Sequence, residues 1–265
     1  MMYEILGHYH TGLLLPEKRV SFACQSYASK YVIKKDDVIA RLKAKWRARD
    51  LFGDKWVRNQ GNRGSCNGYA CAGSLSRIIY LSGLPEVHLS GEFVYANING
   101  GLDRGSTLDD GMRFLMSHGA CREEFVQHET YLLNRISEEA KQDAKNFIAH
   151  ECLEAKTELE LADGLSNGFI AVVAVHASQS YSRLDSNGIA GESNGVGNHS
   201  VSVDDCIWDG NRFVFDQPQT WGINWGDRGR CRLTWDRHLR KTVQYHQFFL
   251  IRGVSDRVDG LFSVA

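Results

Sequence analysis

A cysteine and a glutamine six residues apart form the most chemically suggestive segment of this 265-residue chain. Gln60 precedes Cys66 in the segment QGNRGSC, and a helix-compatible run, Asn67 to Gly83, follows directly. A thiol at a helix N-terminus lies beside unpaired N–H groups and the positive end of the helix dipole, which lowers its pKa and favours the nucleophilic thiolate. The Gln60 carboxamide and the Cys66 N–H can converge as an oxyanion hole. Because most free cysteines are core residues, a buried structural thiol is the alternative interpretation.

A histidine and a tryptophan–glycine loop further along the chain supply the groups that such a nucleophile needs. His199 begins an apparent strand, NHSVSV, in which alternate side chains share one face. The loop WGINWGDRG follows at 221–229. Its glycines permit sharp turns, and its indoles can separate a histidine from water. A nucleophile needs a base, and the base needs a third group that fixes its ring orientation.

In this order, the cysteine segment, the histidine strand and the Trp-Gly loop resemble blocks of the papain-like cysteine peptidases. Weaker matches lie at 46–47, 89–93, 103–115 and 118–121. The resemblance covers roughly residues 42 to 252. The segment that ends at Cys66 and the loop from Trp221 to Gly229 are its specific parts.

The resemblance implies a catalytic role for four residues. Cys66 would be the nucleophile, and His199 would be its general base and acid. Gln60 would be the oxyanion-hole side chain. Gln219 stands where the family has the asparagine that orients the histidine ring.

Four further residues would bind the substrate according to the same resemblance. The backbone of Gly105 would pair with an extended peptide. Ser106 and Ser200 would border the pocket that reads the residue two before the scissile bond. Trp221 would shield the group that orients the histidine.

Two positions depart from the family pattern beside the proposed nucleophile and base. Gln219 carries the carboxamide of asparagine on a stem one methylene longer, so it can still accept a hydrogen bond from His199, at a different angle. Asp216 and Gln217 are alternatives for that role. Asn67 replaces the tryptophan that usually follows the nucleophile, so the local packing must differ.

Cysteine usage points away from a disulfide framework. Arg63 and Asn97 stand where the family's first disulfide has its two cysteines. None of the seven cysteines has a Cys-x-x-Cys zinc spacing; they are Cys24, Cys66, Cys71, Cys121, Cys152, Cys206 and Cys231. We therefore expect intracellular synthesis, no metal and no cofactor.

Composition is that of a globular enzyme with a substantial core. Hydrophobic residues make up 43% of the chain, and 31 basic against 32 acidic residues give a net charge of -1. This balance argues against nucleic-acid or membrane-surface partners. No run approaches the ~20 apolar residues that span a bilayer, and the N-terminus lacks the apolar stretch of a signal peptide. The expected location is the cytoplasm or the interior of a virus or phage particle.

The resemblance implies an α+β, two-lobe, papain-like fold with the active site in the cleft between the lobes. The expected divisions are a mainly helical lobe at about 42–165, a mainly β lobe at about 166–252 and a tail at 253–265. Helices are predicted at 36–42, 66–81, 107–117, 138–149 and 158–165. Strands are predicted at 169–175, 200–206, 212–216, 230–235 and 246–251, with short strands at 21–23 and 31–33.

Residues 1–41 form an N-terminal extension of unknown role. They are too short and too poorly patterned to match the family's long helical inhibitory pro-segment. Capping the cleft, wrapping the β lobe and joining a protein assembly all remain open roles.

Three functions are compatible with these residues. The leading hypothesis is a cysteine endopeptidase that hydrolyses a protein or peptide through a Cys66 thioester, with His199 as general base and acid. The second is a catalytically weak or inactive papain-like component of a larger phage or bacterial assembly, which Gln219 and Asn67 favour. The third is a transpeptidase or deamidase on the same fold.

Overall fold

Helix α4, Cys66–Leu81, is the central element of the fold and is buried from Cys66 to Ile79. Such all-round burial is typical of a helix in the interior of a protein. The computed structural model describes residues 5–6, 9–16, 22–193 and 195–254. The other described helices are α1 Tyr27–Lys30, α2 Lys35–Ala44, α3 Ala48–Phe52, α5 Gly91–Ile98, α6 Leu108–Ser117, α7 Glu138–Ala144 and α8 Glu158–Ser166.

The strands form three sheets. They are β1 Ile5–Leu6, β2 Tyr9–His10, β3 Gln25–Ser26, β4 Ala149–Ala155, β5 Ile170–Val175, β6 His199–Val203, β7 Asp205–Trp208, β8 Phe213–Pro218, β9 Arg230–Thr234 and β10 Phe248–Val254. The first two strands pair with each other, a five-stranded sheet has the order β3-β4-β10-β5-β6, and a three-stranded sheet has the order β7-β8-β9. Helix α4 packs on β6, β5 and β10 of the large sheet and on helices α5 and α6.

Register within the sheets positions the histidine and its neighbours. Strand β6 pairs antiparallel with β5, with His199 opposite Val175. Gln219 directly follows β8, whose last residue, Pro218, lies opposite Arg230 of β9. The histidine and the glutamine therefore come from two different sheets.

A buried ionic cluster links helix α4 to the small sheet. Asp204 is fully buried and pairs with Arg77 of α4 at 3.1 Å and with Arg230 of β9. Arg230 also pairs with Asp216 at 2.8 Å, and Arg49 of α3 binds the same carboxylate at 2.6 Å. Buried charges are tolerated only when they are paired, so this cluster fixes how these elements meet.

Four sequence predictions of secondary structure were wrong in detail. The single strand predicted at 200–206 is two strands, β6 and β7, because the chain changes sheet at Asp204. The helix predicted at 138–149 ends at Ala144, and Ala149 begins β4. Neither 22–23 nor 31–33 is a strand, whereas 25–26 is; position 21 lies outside the described residues.

The fold is the predicted α+β arrangement of helices and sheets around one principal core. The predicted division at about residue 165 stays a prediction. Within the described residues, no helix has the length and apolar character needed to cross a membrane.

Candidate active site

Cys66 is the first residue of α4, as the sequence predicts, but its thiol is fully buried. Burial raises the pKa of the Cys66 thiol to about 11, although backbone N–H groups of Ser200, Gly12 and Asn67 oppose the rise. The predicted lowering of this pKa is therefore wrong for the described state. Exclusion of water outweighs the stabilisation that the helix N-terminus gives to a thiolate.

His199 is held by Gln219. The His199 Nε2 lies 2.6 Å from Gln219 Oε1, and the same oxygen accepts the Thr220 N–H at 2.9 Å. Because that oxygen already faces one N–H, it is an acceptor, so Nε2 donates and carries the proton of the neutral ring. His199 Nδ1 is left as the proton-accepting nitrogen, and it has no hydrogen-bond partner.

The two alternatives to Gln219 are engaged elsewhere. Asp216 lies in the ionic cluster described above. Gln217 donates from Nε2 to the Cys231 sulfur at 2.9 Å. Of the three residues that the sequence leaves open, only Gln219 touches the His199 ring.

Burial also determines the charge of the histidine. His199 is fully buried, and this desolvation lowers its pKa to about 4, partly offset by Gln219. The ring of Trp221 stacks on it with centroids 4.4 Å apart. At neutral pH the described state therefore holds a neutral imidazole and a neutral thiol.

Cys66 and His199 belong to neighbouring elements. The backbone N–H of Ser200, the residue after His199, approaches the Cys66 sulfur. The His199 ring nitrogen that is not bound to Gln219 remains without a partner, so no hydrogen bond joins ring and thiol in the described part of the chain.

Gln60 is fully buried, and its carboxamide is bonded on both sides. Its Nε2 donates to the carbonyl oxygen of Arg63 at 2.7 Å and to that of His10 at 3.3 Å. Its Oε1 accepts from the Thr220 hydroxyl, which fixes the direction of the carboxamide. The Trp221 indole also donates to the His10 carbonyl, at 2.9 Å. A backbone carbonyl of the N-terminal extension thus already takes two of the donors at this site.

Residues 9–14, called the strap from here on, occupy the groove beside Cys66. The Ser106 N–H donates to the Gly12 carbonyl at 2.9 Å, and the Leu14 N–H donates to the Ser106 carbonyl at 3.0 Å. On the opposite wall, the Leu13 N–H donates to the Asn198 carbonyl at 3.0 Å. The strap is therefore bonded through its main chain to both walls, and it covers the site.

Two glycines allow the strap to lie against the walls of the groove. A Cβ on Gly12 would stand 2.0 Å from the carbonyl oxygen of Gly64, far inside any real contact. Gly105 has φ +88°, and a Cβ there would stand 1.9 Å from the Gly12 carbonyl oxygen. Tyr9 stacks on Trp221 with ring centroids 5.1 Å apart.

The contacts of the strap differ from those expected of a substrate positioned for attack. It runs parallel to the wall at Ser106. The Gly12 N–H approaches the Cys66 sulfur, and the Gly12 carbonyl oxygen is bonded to the Ser106 N–H. Attack requires a carbonyl oxygen held by the oxyanion donors, whereas Gln60 Nε2 donates to the carbonyl oxygens of His10 and Arg63. The groove is therefore occupied by the chain's own backbone.

The residues predicted to bind substrate make two kinds of contact, one through backbone groups and one through serine hydroxyls. Ser106, rather than Gly105, pairs its backbone with the strap, while the Gly105 N–H donates to the Tyr95 hydroxyl at 3.0 Å. Asn67 joins the two predicted pocket serines: its Nδ2 donates to Ser106 Oγ at 3.1 Å, and its Oδ1 accepts from Ser200 Oγ at 3.3 Å.

Sequence reasoning missed this bridging role of Asn67, and for residues 1–41 it left capping of the cleft open as one of three roles. A buried side chain with both donors and acceptors can join two hydroxyls, and this was the available signal for Asn67. The run Leu13–Leu15 beside Gly12 was the signal for the strap.

Known structures share this fold. Xylellain, a cysteine protease from Xylella fastidiosa, superposes with a TM-score of 0.68 at 22% identity over 92% of this chain and 96% of that chain. Procathepsin L 3 from the larval midgut of Tenebrio molitor gives 0.59 at 16% identity, over 74% of this chain and 66% of that one. Bromelain from Ananas comosus, in complex with the inhibitor E64, gives 0.59 at 18% identity, over 74% and 92%.

The chain therefore has the papain-like fold, and the sequence prediction of that fold is confirmed. At these identities the likeness establishes the fold and no more. No family model matches the sequence, and no curated protein matches it.

Proposed function

We propose that this chain is a cysteine endopeptidase that its own strap holds in a closed, latent form. The observation that carries the proposal is the strap itself, a stretch of polypeptide bonded through its main chain to both walls of a groove that contains Cys66. A groove that binds one extended backbone at a thiol is suited to bind another. Proteins or peptides are therefore the proposed substrates, as the protease names of the similar structures also suggest.

The proposed reaction begins when the strap leaves the groove. Cys66 gives its proton to His199 Nδ1, the nitrogen without a partner, and its sulfur attacks a peptide carbonyl carbon. The Gln60 Nε2, released from the His10 carbonyl, and the Cys66 N–H hold the oxyanion.

His199 then protonates the leaving amine as the C–N bond breaks, which leaves a thioester on Cys66. Water attacks the thioester with His199 as base, and the thiol is restored. Gln219 keeps Nδ1 directed toward the reaction by holding Nε2.

The closed state explains why Cys66 would be harmless before release. A neutral thiol with its pKa near 11 is a poor nucleophile at neutral pH. When water enters the groove, the desolvation that raises this pKa and lowers that of His199 is removed. The thiolate and imidazolium can then coexist.

One observation favours a second candidate, a non-catalytic papain-like scaffold. Both Cys66 and His199 are completely buried, and the groove is filled by the chain's own backbone. A scaffold would keep the strap in place permanently and would need no reactive thiol.

Cleavage of a diverse peptide library by the full-length Gly12→Ala protein distinguishes the two. The added methyl cannot fit against Gly64, so the strap must leave or shift. The peptidase predicts cleavage that Cys66→Ala abolishes and that Cys71→Ala, a change at another fully buried thiol of α4, preserves. If a folded Gly12→Ala protein with an accessible Cys66 cleaves nothing, the scaffold is the correct function.

A further inference from the structure

Cys24 and Cys152 lie side by side on neighbouring strands of the large sheet. Strand β3 pairs parallel with β4, with Gln25 opposite Leu153, so Cys24 is one step before β3 and opposite Cys152. The two sulfurs are 3.2 Å apart, and the Cys24 thiol donates to the Cys152 carbonyl oxygen at 2.7 Å. Both cysteines are free.

The backbone at this pair already suits a disulfide. Neighbouring strands are about 4.8 Å apart, within the ~4.4–6.8 Å between Cα atoms that a disulfide spans. Both side chains are partly exposed, whereas Cys66, Cys71, Cys121, Cys206 and Cys231 are buried. An oxidant in solution therefore reaches this pair before it reaches the other cysteines.

We propose that Cys24 and Cys152 form a reversible disulfide that latches the strap-bearing N-terminal segment to strand β4. The oxidant is a small disulfide such as oxidised glutathione. The Cys24 thiolate attacks one glutathione sulfur, which breaks the S–S bond and releases a first glutathione. The Cys152 thiolate attacks the Cys24 sulfur and releases the second. Two protein thiols are oxidised, one glutathione disulfide is reduced, and the two protons end on the two glutathione thiols.

The contact between the two sulfurs suits the second step. Burial, with Cys24 as a close neighbour, raises the pKa of the Cys152 thiol. Once Cys24 carries glutathione, Cys152 is the neighbouring thiol that displaces it, since the two sulfurs lie 3.2 Å apart.

Along the chain, Cys24 lies between the strap and an exposed connection. Residues 31–34, between α1 and α2, have neither helix nor strand structure, and Val32 is 92% exposed. A cut at Val32 would leave the strap on a fragment held only by non-covalent contacts in the reduced protein. In the oxidised protein the same fragment would stay bonded to Cys152. As a control of activity, the latch rests on the proposed function; as a disulfide site, it does not.

Peptide mapping of the full-length protein tests the site. After equilibration with oxidised glutathione, digestion without reductant should give one linked peptide containing Cys24 and Cys152, with a mass 2 Da below the sum of the two. Cys24→Ser should abolish this peptide, and Cys121→Ser, at a buried cysteine, should leave it unchanged. Stable glutathione adducts without a linked peptide, or scrambled pairs, would overturn the latch.

Cutting the chain at this exposed connection tests whether the disulfide retains the strap. A recognition sequence for a specific protease is inserted between Val32 and Ile33, and the chain is cut before and after oxidation. On denaturing gels without reductant, the strap fragment should stay attached only in the oxidised sample, and reduction should free it. In native buffer, reduction and removal of the reductant should speed iodoacetamide labelling of Cys66 at least tenfold. Equal labelling of both samples would contradict the latch, whereas a lack of peptide hydrolysis would bear only on the proposed function.

Discussion

His199 Nε2 donates to Gln219 Oε1 at 2.6 Å, and the Thr220 N–H shares that oxygen at 2.9 Å. The Thr220 N–H belongs to the backbone and cannot rotate away. If the Gln219 carboxamide flipped by half a turn, its NH2 group would face the Thr220 N–H, so the flipped orientation is unfavourable. Gln219 thus fixes both the tautomer and the orientation of the histidine ring, with the longer side chain still reaching the ring.

Replacement of Gln219 should show how far it acts by orienting the His199 ring and how a charge beside that ring changes the reaction. In the Gly12→Ala background, Gln219→Ala should lower kcat roughly 10–100-fold, a part of the ~10²–10⁴ that acid–base catalysis contributes. Gln219→Glu keeps an acceptor and adds a negative charge, so it should retain most activity and move the acid limb of the pH–rate profile upward. Gln217→Ala, two residues earlier, should leave that profile in place. Identical profiles for all three variants would exclude the orienting role.

Gly12→Ala should open the groove. The new Cβ would overlap the Gly64 carbonyl oxygen. Both atoms are bonded directly to the backbone, so no side-chain rotation relieves the overlap. Iodoacetamide should therefore label Cys66 more than tenfold faster than in the unchanged protein. Gly188→Ala is the control. Gly188 has φ +72°, so an alanine there strains the backbone, but its Cβ would have no neighbouring atom within 4 Å. Unchanged labelling in a folded Gly12→Ala protein would mean that the strap is not what protects the thiol.

Acid should weaken the closed state. The pKa of buried His199 is lowered to about 4, so the unfolded or opened chain binds a proton below about pH 6.5 while the closed chain does not until pH 4. Stability is thus present above 6.5 and lost as the pH falls through this window. The loss is at most about 3 kcal/mol. Hydrogen exchange of the Leu13 and Leu14 amides, corrected for intrinsic rates, should accelerate from pH 7 to pH 4.5. His199→Gln should flatten that dependence; a dependence unchanged by this substitution would assign it to another group.

The ionic cluster should dominate the stability of the contact between helix α4 and the small sheet. Asp204→Asn leaves Arg77 and Arg230 as buried cations without their shared partner. The expected loss in the free energy of unfolding is about 3–5 kcal/mol, measured by urea denaturation. Asp236→Asn removes an exposed partner of Arg240 and should cost less than about 0.5 kcal/mol. Similar small losses for both would show that the cluster is solvated.

Much of the fold could be predicted because local signals agreed with the packing. The helix that begins at Cys66 was predicted at 66–81 and lies at Cys66–Leu81. The buried run at 170–175 has the β-branched residues of a central strand. Strand β4 was missed because its sequence, AHECLEA, carries the acids of a helix surface, and only pairing with β3 and β10 makes it a strand.

Motifs in the sequence point to the residues of the candidate site but not to its state. Cys66, His199 and Gln219 were selected by motif and spacing, and the structure brings His199 and Gln219 into contact. Their catalytic roles stay predictions. The pKa of Cys66 could not be predicted from a motif, because it depends on the strap, and the strap makes contact through backbone groups that any sequence with a glycine at position 12 can supply.

The most direct test is to trap the acyl intermediate on the thiol. Full-length Gly12→Ala protein is mixed with a peptide ester, quenched in acid within milliseconds to seconds, and digested for mass spectrometry. The acyl group of the peptide should become attached to Cys66 and disappear as hydrolysis proceeds, and it should be absent with Cys66→Ala. Peptide turnover without an adduct on Cys66, or an open groove whose thiol never acquires an acyl group, would contradict the peptidase mechanism.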